Sequence, residues 1–168
     1  MLGMHVPYWL TITLNLLLLA GFITTAYYTL RVGITPMPSS RKAVSTMIGI
    51  MPRNVKGTIL DLGAGWGTLG YPVAKAFPEA TVIGYELSPI PWAYSRIKQF
   101  VVRRGNLTFK RKDISEVDLS SADIVLVYLQ PRAMRRLSPK LRDELKPGAL
   151  VLSNSFPLPG WELSLIHI

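Results

Sequence analysis

The residues with the clearest chemical potential are Asp61, Gly63, Gly65 and Gly67, in the run Asp61-Leu62-Gly63-Ala64-Gly65-Trp66-Gly67. Three glycines at alternate positions let a backbone turn sharply and lie against a ligand with no Cβ in the way. A helix expected to follow turns its N-terminus towards the same ligand. Two further carboxylates, Glu86 and Asp113, stand at the ends of short apolar runs, Glu86 25 residues after Asp61. At the first of these positions a carboxylate can accept both hydroxyl hydrogens of a ribose, and at the second it can accept from an exocyclic adenine amine. Taken singly, each has an ordinary reading as a tight turn, a loop residue or a helix cap. Taken together they point to a nucleoside-bearing ligand at the C-terminal ends of parallel strands.

Two such ligands compete. Gly65-Trp66-Gly67-Thr68-Leu69-Gly70 matches the G-x-G-x-x-G pattern of dinucleotide sites. In a dinucleotide fold the first glycine comes straight off the strand, whereas here Asp61-Leu62-Gly63-Ala64 intervene. An acid ahead of the first glycine also suits the ammonium of a methionine moiety better than a pyrophosphate, which favours S-adenosyl-L-methionine over NAD. A metal is not expected: there is no cysteine, and the only histidines, His5 and His167, lie at opposite ends of the chain. Tyr128 closes another apolar run and is the candidate for an acceptor pocket. Its ring can contact an ammonium and its hydroxyl can orient an amine, although a packed strand-end aromatic looks the same in sequence.

The elements that must position these residues alternate regularly. Strands are expected over Thr58–Leu62, Thr81–Tyr85, Leu107–Arg111, Ile124–Tyr128 and Ala149–Ser153. Helices are expected over Thr68–Phe77, over Pro89–Arg104 with Pro91 in its first turn, and over Pro131–Leu145, closed by Lys146-Pro147-Gly148. An earlier helix, capped by Ser39 or Ser40, runs to about Met51 and follows a Gly33–Ser40 linker. This alternation predicts an α/β fold with a parallel sheet and right-handed crossovers.

Ahead of it, no charged residue occurs from Val6 to Leu30, a run of 25. A helix over Tyr8–Leu30 is roughly 34 Å long, enough to cross a hydrocarbon core. Tyr8 and Trp9 at one end and Tyr27 and Tyr28 at the other suit the two interfaces. A cleaved signal peptide is the rival, but Met1–His5 lacks its basic region. Positive charge follows the span rather than preceding it, so a single-pass membrane protein with its C-terminal domain on the cytoplasmic side is expected. The resulting organisation is an anchor over 1–31, a linker and pre-domain helix over 32–56, and a ligand-binding domain over 57–168. The net charge of +9 is uneven: no acid precedes Asp61, and none occurs from Leu87 to Lys112, a stretch with seven basic residues. That surface suits anionic lipid headgroups or nucleic acid. A solvated basic face beside a membrane is the simpler account, and nucleic acid is not an expected partner.

With these residues in place, the sequence resembles the class I S-adenosylmethionine-dependent methyltransferases, whose first motif is an acidic residue followed by G-x-G-x-G. The resemblance runs from about Thr46 to Phe156. More narrowly, the chain is similar to the small membrane-anchored lysine methyltransferases related to those that modify mitochondrial ATP synthase c subunit and the adenine nucleotide translocase. That similarity is carried by Thr35-Pro36, by Val127-Tyr128-Leu129 with Pro131, and by Leu141-Arg142-Asp143-Glu144-Leu145-Lys146-Pro147-Gly148. It continues through Ser153-Asn154-Ser155-Phe156 and Pro159-Gly160-Trp161. The resemblance implies a Rossmann-like sheet, S-adenosyl-L-methionine as cofactor, and lysine methylation of a membrane-protein partner. Methylation of a lipid or isoprenoid-like metabolite and a non-catalytic cofactor-binding role stay open. Tyr128-Leu129-Gln130-Pro131 departs from the Asn/Asp-Pro-Pro-Tyr/Phe motif of many enzymes that methylate amide or nucleobase nitrogens. A class I sheet usually has seven strands, yet Trp161–Ile168 is too short for the remaining helix and hairpin. The closing Ser164-Leu165-Ile166-His167-Ile168 resembles translated adapter sequence, so the expectation is a sheet truncated after its fifth strand.

Overall fold

Ile124-Val125-Leu126-Val127 is apolar at every position, a pattern satisfied by a strand covered on both faces. In the computed structural model, which describes residues 7–32 and 39–162, this run lies near the middle of a five-stranded parallel sheet. The strands are β1 (Thr58–Leu62), β2 (Thr81–Glu86), β3 (Leu107–Arg111), β4 (Ala122–Val127) and β5 (Leu150–Ser153), in the order β3-β2-β1-β4-β5. All four pairings are parallel, with Leu62 beside Tyr85 on one side and beside Val127 on the other. Thr35-Pro36, most of the Gly33–Ser40 linker and the Ser164–Ile168 ending lie outside the described residues.

The helices are α1 (Tyr8–Val32), α2 (Arg41–Ile50), α3 (Gly70–Ala76), α4 (Pro89–Val102) and α5 (Pro131–Glu144). Alternate residues of the strands face two separate apolar layers. Ile59, Val82, Phe109 and Leu126 meet Met47 of α2 and Val73 of α3. Leu60, Leu62, Val125 and Val127 meet Met134, Leu137 and Leu141 of α5. This is the doubly wound Rossmann-like architecture, in which β1 and β4 are neighbours although the chain leaves β1 in the direction of β2.

Several boundaries differ from expectation by one or two residues, three of them for a local reason. The helix after the glycine loop begins at Gly70 rather than Thr68, because Gly65 and Gly67 sit at φ +53° and +71° and the first turn is not yet helical. Helix α4 ends at Val102 rather than Arg104, because Arg103 adopts φ +50° while its N–H still donates to the Gln99 carbonyl. The fourth strand starts earlier, at Ala122. There the Asp123 carboxylate accepts from the Thr58 N–H at 2.7 Å and pairs with Lys146 at 2.6 Å, which latches the start of β4 to the start of β1. Of the two candidate caps for α2, Ser40 is the one used: its Oγ accepts from the Ala43 N–H.

Among the described residues α1 is the one helix long and apolar enough to cross a bilayer, over Tyr8–Leu30. Near its C-terminal end the Arg111 guanidinium, at the end of the edge strand β3, donates to the Tyr28 hydroxyl at 2.9 Å.

Candidate functional site

Parallel strands that diverge to opposite sides leave a crevice at their C-terminal ends, and here it opens between β1 and β4. The loop leaving β1 folds back onto β2: the N–H groups of Gly63 and Ala64 both donate to the Tyr85 carbonyl at 2.9 Å. Beneath the loop lies a cavity of about 480 Å³, the size of a small-ligand site. Asp61, Gly63, Gly65, Glu86, Asp113 and Tyr128 all line it.

Gly67 does not. It is buried on the far side of the loop, where a Cβ would stand 2.8 Å from the Phe109 ring and 2.9 Å from Tyr71. Its absent side chain serves close packing of the loop on β3 and α3. At Gly65 the reverse holds: a Cβ would meet no protein atom nearer than 3.9 Å, and the backbone there lies open to the cavity.

The carboxylates are set by their neighbours. Glu86 is 9% exposed; its Oε2 accepts from the Gly65 N–H at 2.9 Å and its Oε1 from the Ser88 N–H at 2.6 Å. Glu86 therefore ties the glycine loop to the β2–α4 turn, and each oxygen keeps a lone pair for a ligand hydroxyl. Asp61 is 3% exposed, and its Oδ2 has no hydrogen-bond partner. Burial, and after it repulsion by Glu86, raise the Asp61 carboxyl from 3.8 to about 7, against the pull of the Gly70 backbone N–H. A buried acceptor without a donor is costly, and one that faces a cavity is an incomplete half of an interaction.

Asp113 lies two residues beyond β3. Its Oδ1 accepts from both the N–H and the hydroxyl of Ser115, capping a 3-10 turn over Ile114–Glu116 that the sequence reading did not foresee. Tyr128 follows β4 by one residue and is half-buried.

Four contributors escaped the sequence reading. The buried Ser95 hydroxyl on α4 bonds the Gly65 carbonyl at 2.9 Å, fixing the open side of the loop. Arg132, Arg136 and Lys140 of α5 line the cavity as well. Their i, i+4, i+8 spacing puts them on one helix face, a signal readable in sequence, but which face meets the cavity is decided by Met134, Leu137 and Leu141 packing on the sheet. The cavity thus joins a carboxylate pair, an exposed stretch of backbone and a cationic wall. Carboxylates so placed have the chemistry to accept from an ammonium and from vicinal hydroxyls.

Known proteins resemble this chain in sequence and fold. The model of the ANTKMT methyltransferase domain matches residues 61–164. A protein-lysine N-methyltransferase of Saccharolobus islandicus is 32% identical over 127 residues, covering 74% of this chain and 78% of that protein. The mouse lysine N-methyltransferase of the ATP synthase c subunit is 30% identical over 152 residues, or 84% of this chain, which spans 60% of the mouse protein's length. The solved structure of an RNA methyltransferase from Salinibacter ruber, in complex with S-adenosyl-L-homocysteine, superposes with a TM-score of 0.72 at 25% identity. That likeness covers 79% of this chain and 87% of the Salinibacter one. With its glycine loop and carboxylates inside the matched span, the chain belongs to the ANTKMT methyltransferase domain family.

Proposed function

We propose that the chain binds S-adenosyl-L-methionine in the cavity at the ends of β1, β2 and β4 and methylates a lysine side chain of a membrane-associated protein. The observation that carries this reading is the orphaned, buried Oδ2 of Asp61 beside Glu86 and the open backbone of Gly65. Asp61 accepts from the methionine ammonium, Glu86 from the ribose hydroxyls, and the free oxygen of Asp113 from the adenine amine. Gly65 leaves room for the ligand; Gly63 and Gly67 keep the loop in the shape that does so.

Bound there, the cofactor supplies a methyl group already made electrophilic by its sulfonium. The protein's part is to align an amine lone pair with that methyl and to keep water out. A lysine must arrive neutral. Burial of its head lowers its pKa, and Arg132, Arg136 and Lys140 on the same wall act in the same direction. Tyr128 orients the incoming amine through its hydroxyl, so no dedicated general base is required.

The lysine acceptor is supported by the names of both relatives, and a membrane-associated partner by that of the mouse one, which acts on the ATP synthase c subunit. We place α1 across a bilayer, with residues 32–56 leading to a catalytic domain from residue 57 onward on the cytoplasmic side. The test is to incubate the detergent-solubilised full chain with methyl-tritiated cofactor and native membranes. Label in a protein band that hydrolyses to N-methyl-lysine supports the reading. Label confined to the organic extract would point to a lipid or isoprenoid-like acceptor, and cofactor binding without any transfer would point to a non-catalytic role; either would overturn it.

A further inference from the structure

The large hydrophobic side chains left exposed among the described residues fall on α1 and α4 alone. For α1 that is what a membrane span requires. For α4, which packs on the edge of a soluble-type sheet, it is anomalous. Ile97, Phe100 and Val101 are 68%, 80% and 73% exposed, and Ile90 and Tyr94 are exposed as well. At 3.6 residues per turn these five share one arc of the helix. The opposite arc, with Pro91, Ser95 and Gln99, faces the sheet: Pro91 and Ser95 are buried, and the Gln99 amide donates to the Leu107 carbonyl at 2.7 Å. So α4 carries an apolar stripe on its outer pole, where a surface helix normally carries charge.

The charges lie beside the stripe. Arg96 and Arg103 flank it on one side and Lys98 on the other. A second crevice, of about 410 Å³, is lined by Arg96, Phe100, Arg103 and Arg104 at the C-terminal end of the helix. No acid occurs between Leu87 and Lys112, and among the described residues the ion pairs join Lys56, Lys140 and Lys146 to their acids rather than these arginines. An apolar stripe with basic margins matches the boundary between acyl chains and anionic headgroups, the stripe entering the first and the margins meeting phosphate. The location agrees: α4 packs on the edge strand β3, whose last residue, Arg111, bonds Tyr28 near the C-terminal end of α1.

We propose that α4 is an interfacial helix, whose face of Ile90, Tyr94, Ile97, Phe100 and Val101 seats the domain on an anionic bilayer surface, with Arg96, Arg103 and Arg104 engaging lipid phosphates. This attachment is distinct from the α1 span. It also reaches the site, because Tyr94 makes an edge-to-face contact with Trp66 of the glycine loop, ring centroids 5.4 Å apart, and Trp66 lines the cavity. A docked α4 holds the lip of the cavity at the membrane plane.

The chain has no cysteine, so single reporters are clean. The full chain is reconstituted in vesicles of phosphatidylcholine, with or without about one third phosphatidylglycerol. Each variant carries an environment-sensitive fluorophore at Ile97→Cys, Phe100→Cys or Val101→Cys. Leu17→Cys serves as the reference within α1, and Asp143→Cys on α5 as the reference on the opposite sheet face. Spin-labelled lipid should quench the α4 labels in anionic vesicles several-fold more than the Asp143 label. Each of Arg96→Gln, Arg103→Gln and Arg104→Gln should lower the docked-to-undocked ratio about fivefold. Quenching at Leu17 with none beyond the Asp143 level on α4 overturns docking while leaving the span intact. Quenching indifferent to phosphatidylglycerol, or disulfide cross-linking of two copies through Ile97→Cys, overturns it too, the latter in favour of a contact between chains. Retained cofactor binding in each variant shows that the fold survives the substitution.

Discussion

An acid whose carboxyl titrates near neutrality makes cofactor affinity depend on pH in a calculable way. In the ligand-free protein burial and Glu86 hold Asp61 at about 7, so at pH 6 about nine-tenths of the molecules carry it protonated and unable to accept from an ammonium. The cofactor's own α-amine titrates in the ordinary range, near 7.8. The product of the two charged fractions rises about sixfold from pH 6 to a maximum near pH 7.4 and falls again above it. Binding near pH 7 should also release a few tenths of a proton, read as a difference in calorimetric heat between buffers of unlike ionisation enthalpy. The sign for stability runs the other way. Raising the carboxyl from 3.8 to about 7 amounts to about 4 kcal/mol of native-state penalty on the ionised form. The protonated group's advantage is full below about 4 and lost as the pH rises through 7, whereas the cofactor's thermal stabilisation follows its affinity and should be largest near pH 7.4. Asp61→Asn should lower affinity at pH 7.4 by about 1.5–3 kcal/mol and abolish the acid limb. An affinity flat between pH 6 and 7.4 in the native chain, or an acid limb that survives in the Asn variant, would falsify the placement of the ammonium on Asp61.

Two further perturbations separate loop from latch. Gly65→Ala puts a methyl group into the cavity at a left-handed φ of +53° with no protein atom within 3.9 Å, so the strain is about 1–2 kcal/mol while cofactor affinity should fall at least tenfold; melting and calorimetry measured side by side check it, and unchanged affinity rejects the cradle. Asp123→Asn weakens the acceptor for the Thr58 N–H and the Lys146 pair; because the carboxylate is partly exposed, about 1 kcal/mol or a fall of 2–4 °C in Tm is expected. The Lys146 and Thr58 contacts lower the Asp123 pKa, so its stabilisation holds above the ordinary carboxylate range and fades as the pH drops below it; melting curves should converge with those of the Asn variant in acid, and parallel curves would show that the latch contributes nothing.

What could be read in the sequence followed from local physics. β1 and β3 have the expected bounds because their short β-branched and apolar runs give way to Gly63 and to Lys112-Asp113, and the glycines after β1 announced a backbone pressed against something. The exact start of α3 was hidden because spacing does not reveal that all three of those glycines adopt left-handed φ and that the last two consume the first turn. Glu86 and Asp113 were found as acceptors, yet each also holds the N–H of a serine two residues on, in Glu86-Leu87-Ser88 and Asp113-Ile114-Ser115. The acid-x-Ser spacing is a turn signal that a search for ligand contacts passes over. The cationic wall on α5 was not foreseen because its composition names the residues but only the tertiary contact of Met134 and Leu137 says where they look.

Helix α4 shows a sharper limit. Ile90, Tyr94, Ile97 and Val101 recur at i, i+4, i+7 and i+11, the pattern of a stripe that faces a core. In the fold the core contact is made by Pro91, Ser95 and Gln99 instead, because Ser95 is needed on the Gly65 carbonyl and Gln99 on the backbone of β3. Periodicity identifies a surface that must leave water, not what covers it. Protein and lipid satisfy the same pattern, and only the missing protein neighbour distinguishes them. On the proposed docking the two faces of this helix act on one loop: the inner face sets its shape through Ser95, and the outer face would set its height above the bilayer. Were α1 to span the bilayer as proposed, a docking interaction far weaker than the span itself would suffice to fix that height. On that proposal an acceptor lysine presented close to the headgroups would meet the cavity mouth without either partner leaving the membrane.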